Sequence, residues 1–184
     1  MNKLWTDFAN SLWHDWRGDG HTEDRLLMTK WQAAFLETWK LQAPLPIPAG
    51  EIAGLQQFRE SLRGFAIQLS MDTAITQEMV DAINEKLGLS PATRQLKQDD
   101  DAVQMVWLPQ EHTWRSVMAE VAASFAQSLA AGLGSRIRIC ENNNCKWVFL
   151  DDTRNRSKRF CDDKMCGNLM KVRRFRERKK SDST

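Results

Sequence analysis

The 184-residue sequence contains no tyrosine, only four cysteines and only five prolines. It has no apolar run near the roughly 18 residues that a membrane-spanning helix needs. Its first residues lack the continuous apolar core of a signal peptide, so we expect a cytoplasmic protein with reduced thiols and no membrane contact. Apolar residues make up 42% of the chain, which suits one ordinary globular domain with a small additional module.

Positive charge is concentrated at one end of the chain. Residues 1–135 hold 11 Lys and Arg against 17 Asp and Glu, whereas residues 136–184 hold 15 against 7. The overall net charge of +2 hides this division. A basic segment attached to an acidic body is typical of contact with nucleic acid or another polyanion, although a solvated, solubilising tail has the same composition.

The four cysteines fall in two equally spaced pairs near the C-terminus. Cys140 and Cys145 form one C-x4-C pair, and Cys161 and Cys166 form another after fifteen intervening residues. Two such pairs can complete a tetrahedral thiolate shell around Zn²⁺ and leave no open position for a substrate, which marks a structural metal site. An iron–sulfur cluster, disulfides, redox thiols and plain packing are the alternatives.

The sequence between and after the cysteine pairs predicts a β-hairpin followed by a basic helix. Residues 146–151 are β-prone, residues 152–157 favour a turn, and residues 158–160 can return as the second strand. Residues 168–180 contain no Gly or Pro and predict a helix. Leu169, Val172 and Phe175 recur at helical spacing and are expected to face the metal module. The module is therefore predicted to be treble-clef-like.

These motifs resemble the CGNR zinc-finger module. Cys166, Gly167 and Asn168 match the start of its Cys-Gly-Asn-Arg signature, and the four cysteines match its metal positions. Leu169 stands where the family has arginine, so the contacts of that arginine do not carry over. In the family this module follows a larger helical domain called ABATE, in proteins described as stress-induced transcription regulators.

The preceding residues predict a mainly helical domain with one short antiparallel strand pair. Residues 93–98 and 102–109 are the predicted strands, joined by three aspartates that we interpret as a solvated turn. Apolar periodicity predicts helices over residues 4–16, 22–41, 51–71, 76–87 and 111–131. The predicted class is thus α+β, with a helical ABATE-like domain over residues 1–132, a zinc module over residues 133–180 and a frayed tail over residues 181–184.

Asp7 and Asn10, with Phe8 between them, resemble the Asp-Phe-x-Asn element that opens the ABATE domain. Their side chains are candidates for lining a ligand pocket, or for capping or bracing the loop near Gly18. The sequence carries no recognisable catalytic motif, and its three histidines do not share metal-binding spacing, so we expect no enzyme.

The predicted function is a zinc-containing DNA-binding protein that regulates transcription. The helical domain would serve dimerisation or the sensing of an unidentified small-molecule effector, and duplex DNA would be the partner. The alternative is a zinc-stapled module that binds protein or RNA without reading a DNA sequence. The candidate nucleic-acid contacts are Arg154, Arg156, Lys158, Arg159, Lys171, Arg173, Arg174, Arg176 and Arg178.

Overall fold

A computed structural model describes residues 3–99 and 102–181 of the chain. Its helices are α1 (Leu4–Ala9), α2 (Thr29–Trp39), α3 (Ala49–Ser70), α4 (Gln77–Leu87), α5 (Trp114–Ala130) and α6 (Asn168–Ser181). Its strands are β1 (Leu12–His14), β2 (Thr22–Asp24), β3 (Ala92–Asp99), β4 (Ala102–Pro109), β5 (Ile137–Ile139) and β6 (Val148–Leu150). Consecutive strands form three separate antiparallel pairs, which confirms the predicted α+β class and adds the unexpected pair β1–β2.

The main core forms where the apolar faces of α1, α3 and α5 meet. Trp5 and Phe125 are fully buried there and pack edge to face, with ring centroids 5.0 Å apart. The core continues beyond the predicted domain, because Ile137 on β5 and Val148 on β6 are also fully buried in it. The two strands before and after the first cysteine pair are therefore built into the helical body. The predicted boundary near residue 132 stays a prediction.

The predicted helix over residues 4–16 is wrong beyond Ala9. Asn10 and Ser11 are buried, and the Asn10 side chain pairs with the backbone of Val148. The Arg63 guanidinium donates to the carbonyl of Ala9 at 3.1 Å, which occupies an acceptor at the end of α1. The chain then turns into β1. These long-range polar contacts override an apolar stripe that is locally compatible with a longer helix.

The second predicted helix also begins later than expected. Residues 22–24 pair with β1, and regular helix starts only at Thr29. The Asp24 carboxylate instead caps a single 3-10 turn, Arg25–Leu27, that precedes α2: it accepts one hydrogen bond from the backbone of Leu26 and two from Arg59, at 2.6 and 3.0 Å. Arg59 and Arg63, which periodicity places off the apolar face of α3, are both buried.

The remaining predictions for the body agree with the structure. The third, fourth and fifth predicted helices correspond to α3, α4 and α5, and the predicted strand pair is β3–β4. Thr76 and Thr113 cap α4 and α5 by accepting hydrogen bonds from Met79 and Ser116. Gly132 has a φ of +71° just after α5, a backbone conformation that favours glycine.

The predicted hairpin of the metal module is wrong in its pairing. Strand β6 pairs with β5, which precedes the first cysteine, and residues 158–160 form no strand. This segment is held by separate bonds instead. The Glu141 amide donates to the Arg159 carbonyl at 3.0 Å, and the Lys158 amide donates to the Asp151 carboxylate at 2.9 Å.

Two predicted segments lie largely outside the described residues. Of the predicted turn over residues 99–101, the structure describes only the backbone of Asp99, which ends β3. Of the predicted tail over residues 181–184, it describes only Ser181, which ends α6. Within the described ranges, no helix combines the length and the apolar character needed to cross a membrane.

Candidate metal centre and nucleic-acid interface

The structure brings the four cysteines into one cluster. Their sulfur atoms all lie within 4.8 Å of one another; Cys145 and Cys161 Sγ are 3.7 Å apart, and Cys161 and Cys166 Sγ are 3.9 Å apart. Four thiolates about 2.3 Å from one tetrahedral zinc ion would be separated by about 3.8 Å. Disulfide sulfurs would be separated by about 2.05 Å. The residues present therefore fit a single tetrahedral metal ion.

Backbone hydrogen bonds shape the two cysteine turns. Cys140 directly follows β5, and its amide donates to the Trp147 carbonyl at 2.8 Å. The Cys145 amide donates to the Asn142 carbonyl at 2.8 Å, and Lys146 then adopts a left-handed φ of 54°. In the second turn, the Asp162 carboxylate accepts from the Met165 amide at 2.7 Å. Each x4 spacing is thus one closed turn that directs both of its thiols to the same point.

Asn142 is a site residue that sequence reasoning missed. It is fully buried between the first two cysteines, and its side-chain amide donates to Cys166 Sγ at 3.4 Å. The same amide donates to the carbonyl of Trp16 at 2.8 Å. A donor to a metal-binding thiolate stabilises its negative charge and orients it. The run of three asparagines gave no signal for which one would have this role.

The close approach of the four thiols shifts their pKa values in different directions. Hydrogen bonding from the Cys145 and Cys161 thiols lowers the pKa of Cys140. Hydrogen bonding to Cys140 raises the pKa of Cys145 and of Cys161, and burial raises the pKa of Cys166. A bound metal ion needs thiolate ligands, so metal binding would release the thiol protons.

The loop after β1 packs against the metal centre. Gly18 has a φ of +99°, and a Cβ there would lie 2.5 Å from the Asn144 side chain and 3.2 Å from the Arg173 guanidinium. Arg173 donates to the carbonyl of Arg17 at 2.6 Å. Glycine is required at this close approach. The N-terminal region thus contacts both the first cysteine turn and the first turns of α6.

Helix α6 presents a different face to the module from the one predicted. Met170 packs against the cysteine cluster, and Arg173 bonds to the N-terminal loop. Leu169 is half-buried, whereas Val172 and Phe175 are 46% and 56% exposed. No residue of the helix is buried. The helix is therefore fixed at its N-terminal end, and most of its surface faces solvent.

The predicted cationic residues divide into engaged and unengaged groups. Lys158 pairs with Asp152, Arg159 forms a bidentate pair with Glu141, and Arg173 bonds to the Arg17 carbonyl. Arg178 donates weakly to the Arg174 carbonyl at 3.4 Å. The others are exposed and form no ion pair with any described residue: Arg154, Arg156, Lys171, Arg174 and Arg176. This second group is the available cationic surface.

Asp7 and Asn10 serve as structural partners. The Trp39 indole donates to Asp7 at 2.8 Å. Asn10 makes two hydrogen bonds of 2.8 Å to the backbone of Val148, one in each direction, and is almost completely buried. The amide group of Asn10 therefore joins the body to β6, and among the described residues neither side chain is bonded to the loop near Gly18.

A cleft of about 300 Å³ lies beside the metal centre and was not predicted. Three half-buried tryptophans line it, together with His14, Asp162, Met165 and three of the cysteines. Burial, followed by the charges of Lys146 and Arg63, lowers the pKa of His14 and favours its neutral form. The tryptophans come from separate parts of the chain and meet only in the fold: Trp13, Trp16 and Trp147.

Fold and site together define a small α+β protein whose C-terminal helix is attached to a four-thiol metal centre. Residues 2–132 match the ABATE family, described as "Putative stress-induced transcription regulator", and residues 136–179 match the CGNR zinc finger. The first match covers more than half of the chain, which therefore belongs to the ABATE family and carries a CGNR zinc finger at its C-terminal end. A search of curated proteins found no match.

Proposed function

We propose that the protein is a zinc-dependent DNA-binding regulator of transcription, with Zn²⁺ held by all four cysteines. The main observation in support of this proposal is that a solvent-facing cationic helix is fixed at one end to the cysteine cluster. A tetrathiolate shell leaves the metal no open coordination position, so we assign it a structural role and assign the protein no catalysis. We place this activity in the cytoplasm, where thiols stay reduced.

The proposed DNA surface is the outer side of α6 with the turn that follows β6. Lys171, Arg174 and Arg178 follow one another at helical spacing, and Arg154 and Arg156 are exposed in the turn. Guanidinium and ammonium groups of this kind contact phosphates and position a protein on duplex DNA. Arg173 has another role in this proposal, because its bond to the Arg17 carbonyl orients the helix.

The test replaces Lys171, Arg174 and Arg176 with alanine and measures duplex affinity against salt concentration. The logarithm of affinity should fall with the logarithm of salt with a slope of about 0.9 for each phosphate contacted, and the triple variant should lose up to about three contacts. Arg115→Ala is the matched control, since Arg115 is exposed on α5. An unchanged affinity and salt slope in the triple variant would remove the support for DNA binding.

Dimerisation through the β3–β4 hairpin is part of this proposal. Leu96 and Met105 face each other across the two strands, and Val103 lies on the same side; all three are more than 60% exposed. A two-stranded hairpin is marginally stable without a further packed layer. A second copy of the chain would supply that layer, and a two-fold dimer would double the length of DNA contacted. Sedimentation at several protein concentrations measures this state directly.

The tryptophan cleft supports the second candidate, an RNA-interaction module. Unpaired bases stack on exposed aromatic rings, at about 1–3 kcal/mol per base. Trp16 lies next to Arg17, whose guanidinium is 4.7 Å from the Trp16 ring and could meet a backbone phosphate. Tighter binding of single-stranded RNA than of duplex DNA, lost on Trp16→Ala and retained on Trp107→Ala, would favour this candidate over the duplex proposal.

A further inference from the structure

A cavity of about 530 Å³ opens in the helical body, and no cysteine lines it. It lies between the C-terminal end of α2, the end of β4 and the first half of α5. A volume of this size is typical of sites that hold small organic molecules. The cavity therefore has room for a ligand, and its lining indicates which kind. The residues that line the cavity include Trp39, Leu41, Trp107, Leu108, His112 and Glu120.

Glu120 is the charged group inside the cavity. It is half-buried on α5 and forms no hydrogen bond or ion pair with any described residue. Burial alone raises the pKa of its carboxyl, so no neighbouring cation offsets the loss of water. Lys40 also lines the cavity, but it is exposed and lies beyond ion-pair distance from Glu120. The carboxylate thus lacks the partner that a buried charge normally has.

Two tryptophan rings supply the aromatic walls. The Trp39 ring is held in place because its indole N–H donates to Asp7 at 2.8 Å. Trp107 reaches the cavity from β4, and the Arg94 guanidinium lies 4.9 Å from the centre of its ring. Cations are attracted to the face of a tryptophan ring, most strongly where water is excluded. A cavity lined by one carboxylate and two tryptophans, of which Trp107 is 51% exposed, suits a positively charged organic group.

We propose that this cavity binds a small organic cation, with its ammonium group against Glu120 and its apolar body between Trp39 and Trp107. Leu41 and Leu108 would contact the apolar part of the ligand. Asp7 would be a positioning residue, since it acts on the ligand only through Trp39. The inference does not rest on DNA binding, because the lining residues belong to the body and include none of the proposed DNA contacts.

The experiment uses the full zinc-loaded protein and a matched pair of probes, phenethylamine and the neutral 2-phenylethanol. Calorimetric titration should show the amine binding about tenfold more tightly than the alcohol, as expected for a hydrogen bond to a charged partner. Glu120→Gln should abolish this preference, and Glu111→Gln, at an exposed carboxylate before α5, should retain it. Nuclear magnetic resonance should show the indole signals of Trp39 and Trp107 shifting with the amine.

A second readout separates ligand binding from a structural role for Glu120. Because the half-buried carboxylate has no ion-pair partner among the described residues, Glu120→Gln should raise the melting temperature of the ligand-free protein while weakening amine binding. Equal binding of amine and alcohol, or of amine to both the parent protein and Glu120→Gln, would overturn the proposal. Failure of the amine to bind the parent protein at all would also overturn it.

Discussion

The helical body and the metal module are held together by different forces. In the body, Trp5, Phe8 and Phe125 are fully buried in one continuous apolar core. In the module, the apolar cluster around Phe149 and Phe160 is small, and the four thiols form a large part of it. Apolar burial stabilises in proportion to the area removed from water, so the body has its own source of stability. We expect the module to depend on a bound metal ion for its stability.

The boundary between these two modes of stabilisation lies inside the zinc-finger match. Strands β5 and β6 lie within residues 136–179, yet Ile137 and Val148 are buried in the core of the body. Asn10 and Arg63 add hydrogen bonds from the body to Val148 and to the Lys146 carbonyl. A family match defined along the sequence thus need not coincide with a unit of folding.

The largest expected effect is the loss of the metal. Replacing both Cys161 and Cys166 with serine, or removing metal with a chelator, should abolish a stabilisation of about 10–16 kcal/mol from structural zinc. Hydrogen exchange followed by mass spectrometry should then show α6 and the second cysteine turn exchanging rapidly. Strands β5 and β6 should keep their protection, since their side chains belong to the core of the body.

The sequence alone predicts a zinc module that starts at residue 133, whereas this outcome would exclude β5 and β6 from the unit that the metal holds. Adding Zn²⁺ back to chelated protein is the control for irreversible damage and should restore protection in α6. Two results would contradict the division proposed here. Loss of protection throughout the helical body would show one cooperative unit, and unchanged protection in α6 would show that the metal does not hold the helix.

Features that depend on residues close together in the sequence, such as cysteine spacing and apolar helix faces, could be predicted from the sequence. Equal cysteine spacing predicted a cluster because each thiol pair needs only one turn to converge, and α3 and α5 carry unbroken apolar faces. The predicted helix over residues 76–87 matches α4, which has Thr76 as its N-cap and Gly88 as its C-cap. These features depend on neighbours along the chain. They are therefore visible without knowledge of the fold.

Most of the failures involve partners that are distant in sequence. Helix α1 stops early because Asn10 bonds to Val148, 138 residues away. The predicted return strand over residues 158–160 is wrong because β6 pairs with β5, the strand that precedes it. Val172 and Phe175 share a helical stripe but remain exposed, since α6 docks only through its first turns. The Trp13, Trp16 and Trp147 cleft likewise exists only once the two ends of the chain meet.

The next largest effect is expected inside the body, at the ion pair of Asp24 and Arg59. The Arg59 side chain is only 5% exposed, and Asp24 Oδ1 lies 2.6 Å from it. Asp24→Ala would leave the buried guanidinium with only Glu60, at 3.1 Å, and Ser11, at 3.4 Å, as side-chain partners. Because breaking a buried ion pair typically costs about 3–5 kcal/mol, we expect a loss at or below the lower end of that range. Chemical denaturation should measure this loss. Asp72→Ala is the control: Asp72 is 78% exposed and lies 4.0 Å from Arg138, so its removal should have little effect.

The Asp24 carboxylate also predicts that the stability of the protein depends on pH. Burial alone would raise the pKa of Asp24, but hydrogen bonds from Arg59 and Gln56 outweigh it and lower the pKa. Because the folded-state value is depressed, the stabilisation is fully present above the unfolded pKa of about 3.9 and is lost as pH falls through the folded value. Asp24→Ala should show a shallower loss of stability below pH 4 than the parent protein. Parallel curves would contradict this assignment.

The smallest effect, and the most discriminating, is expected at Asn10. Replacing Asn10 with alanine leaves the buried N–H and C=O of Val148 without partners, at a total of about 2–4 kcal/mol. Asn143→Ala, at an exposed position in the first cysteine turn, is the control and should change stability little. Both variants should be unfolded with the metal bound and after chelation. If β5 and β6 belong to the body, the loss in Asn10→Ala should be the same in both states. A loss confined to the metal-bound protein would instead place β6 in the unit that the metal holds, and the division between the two regions would then lie before Ile137.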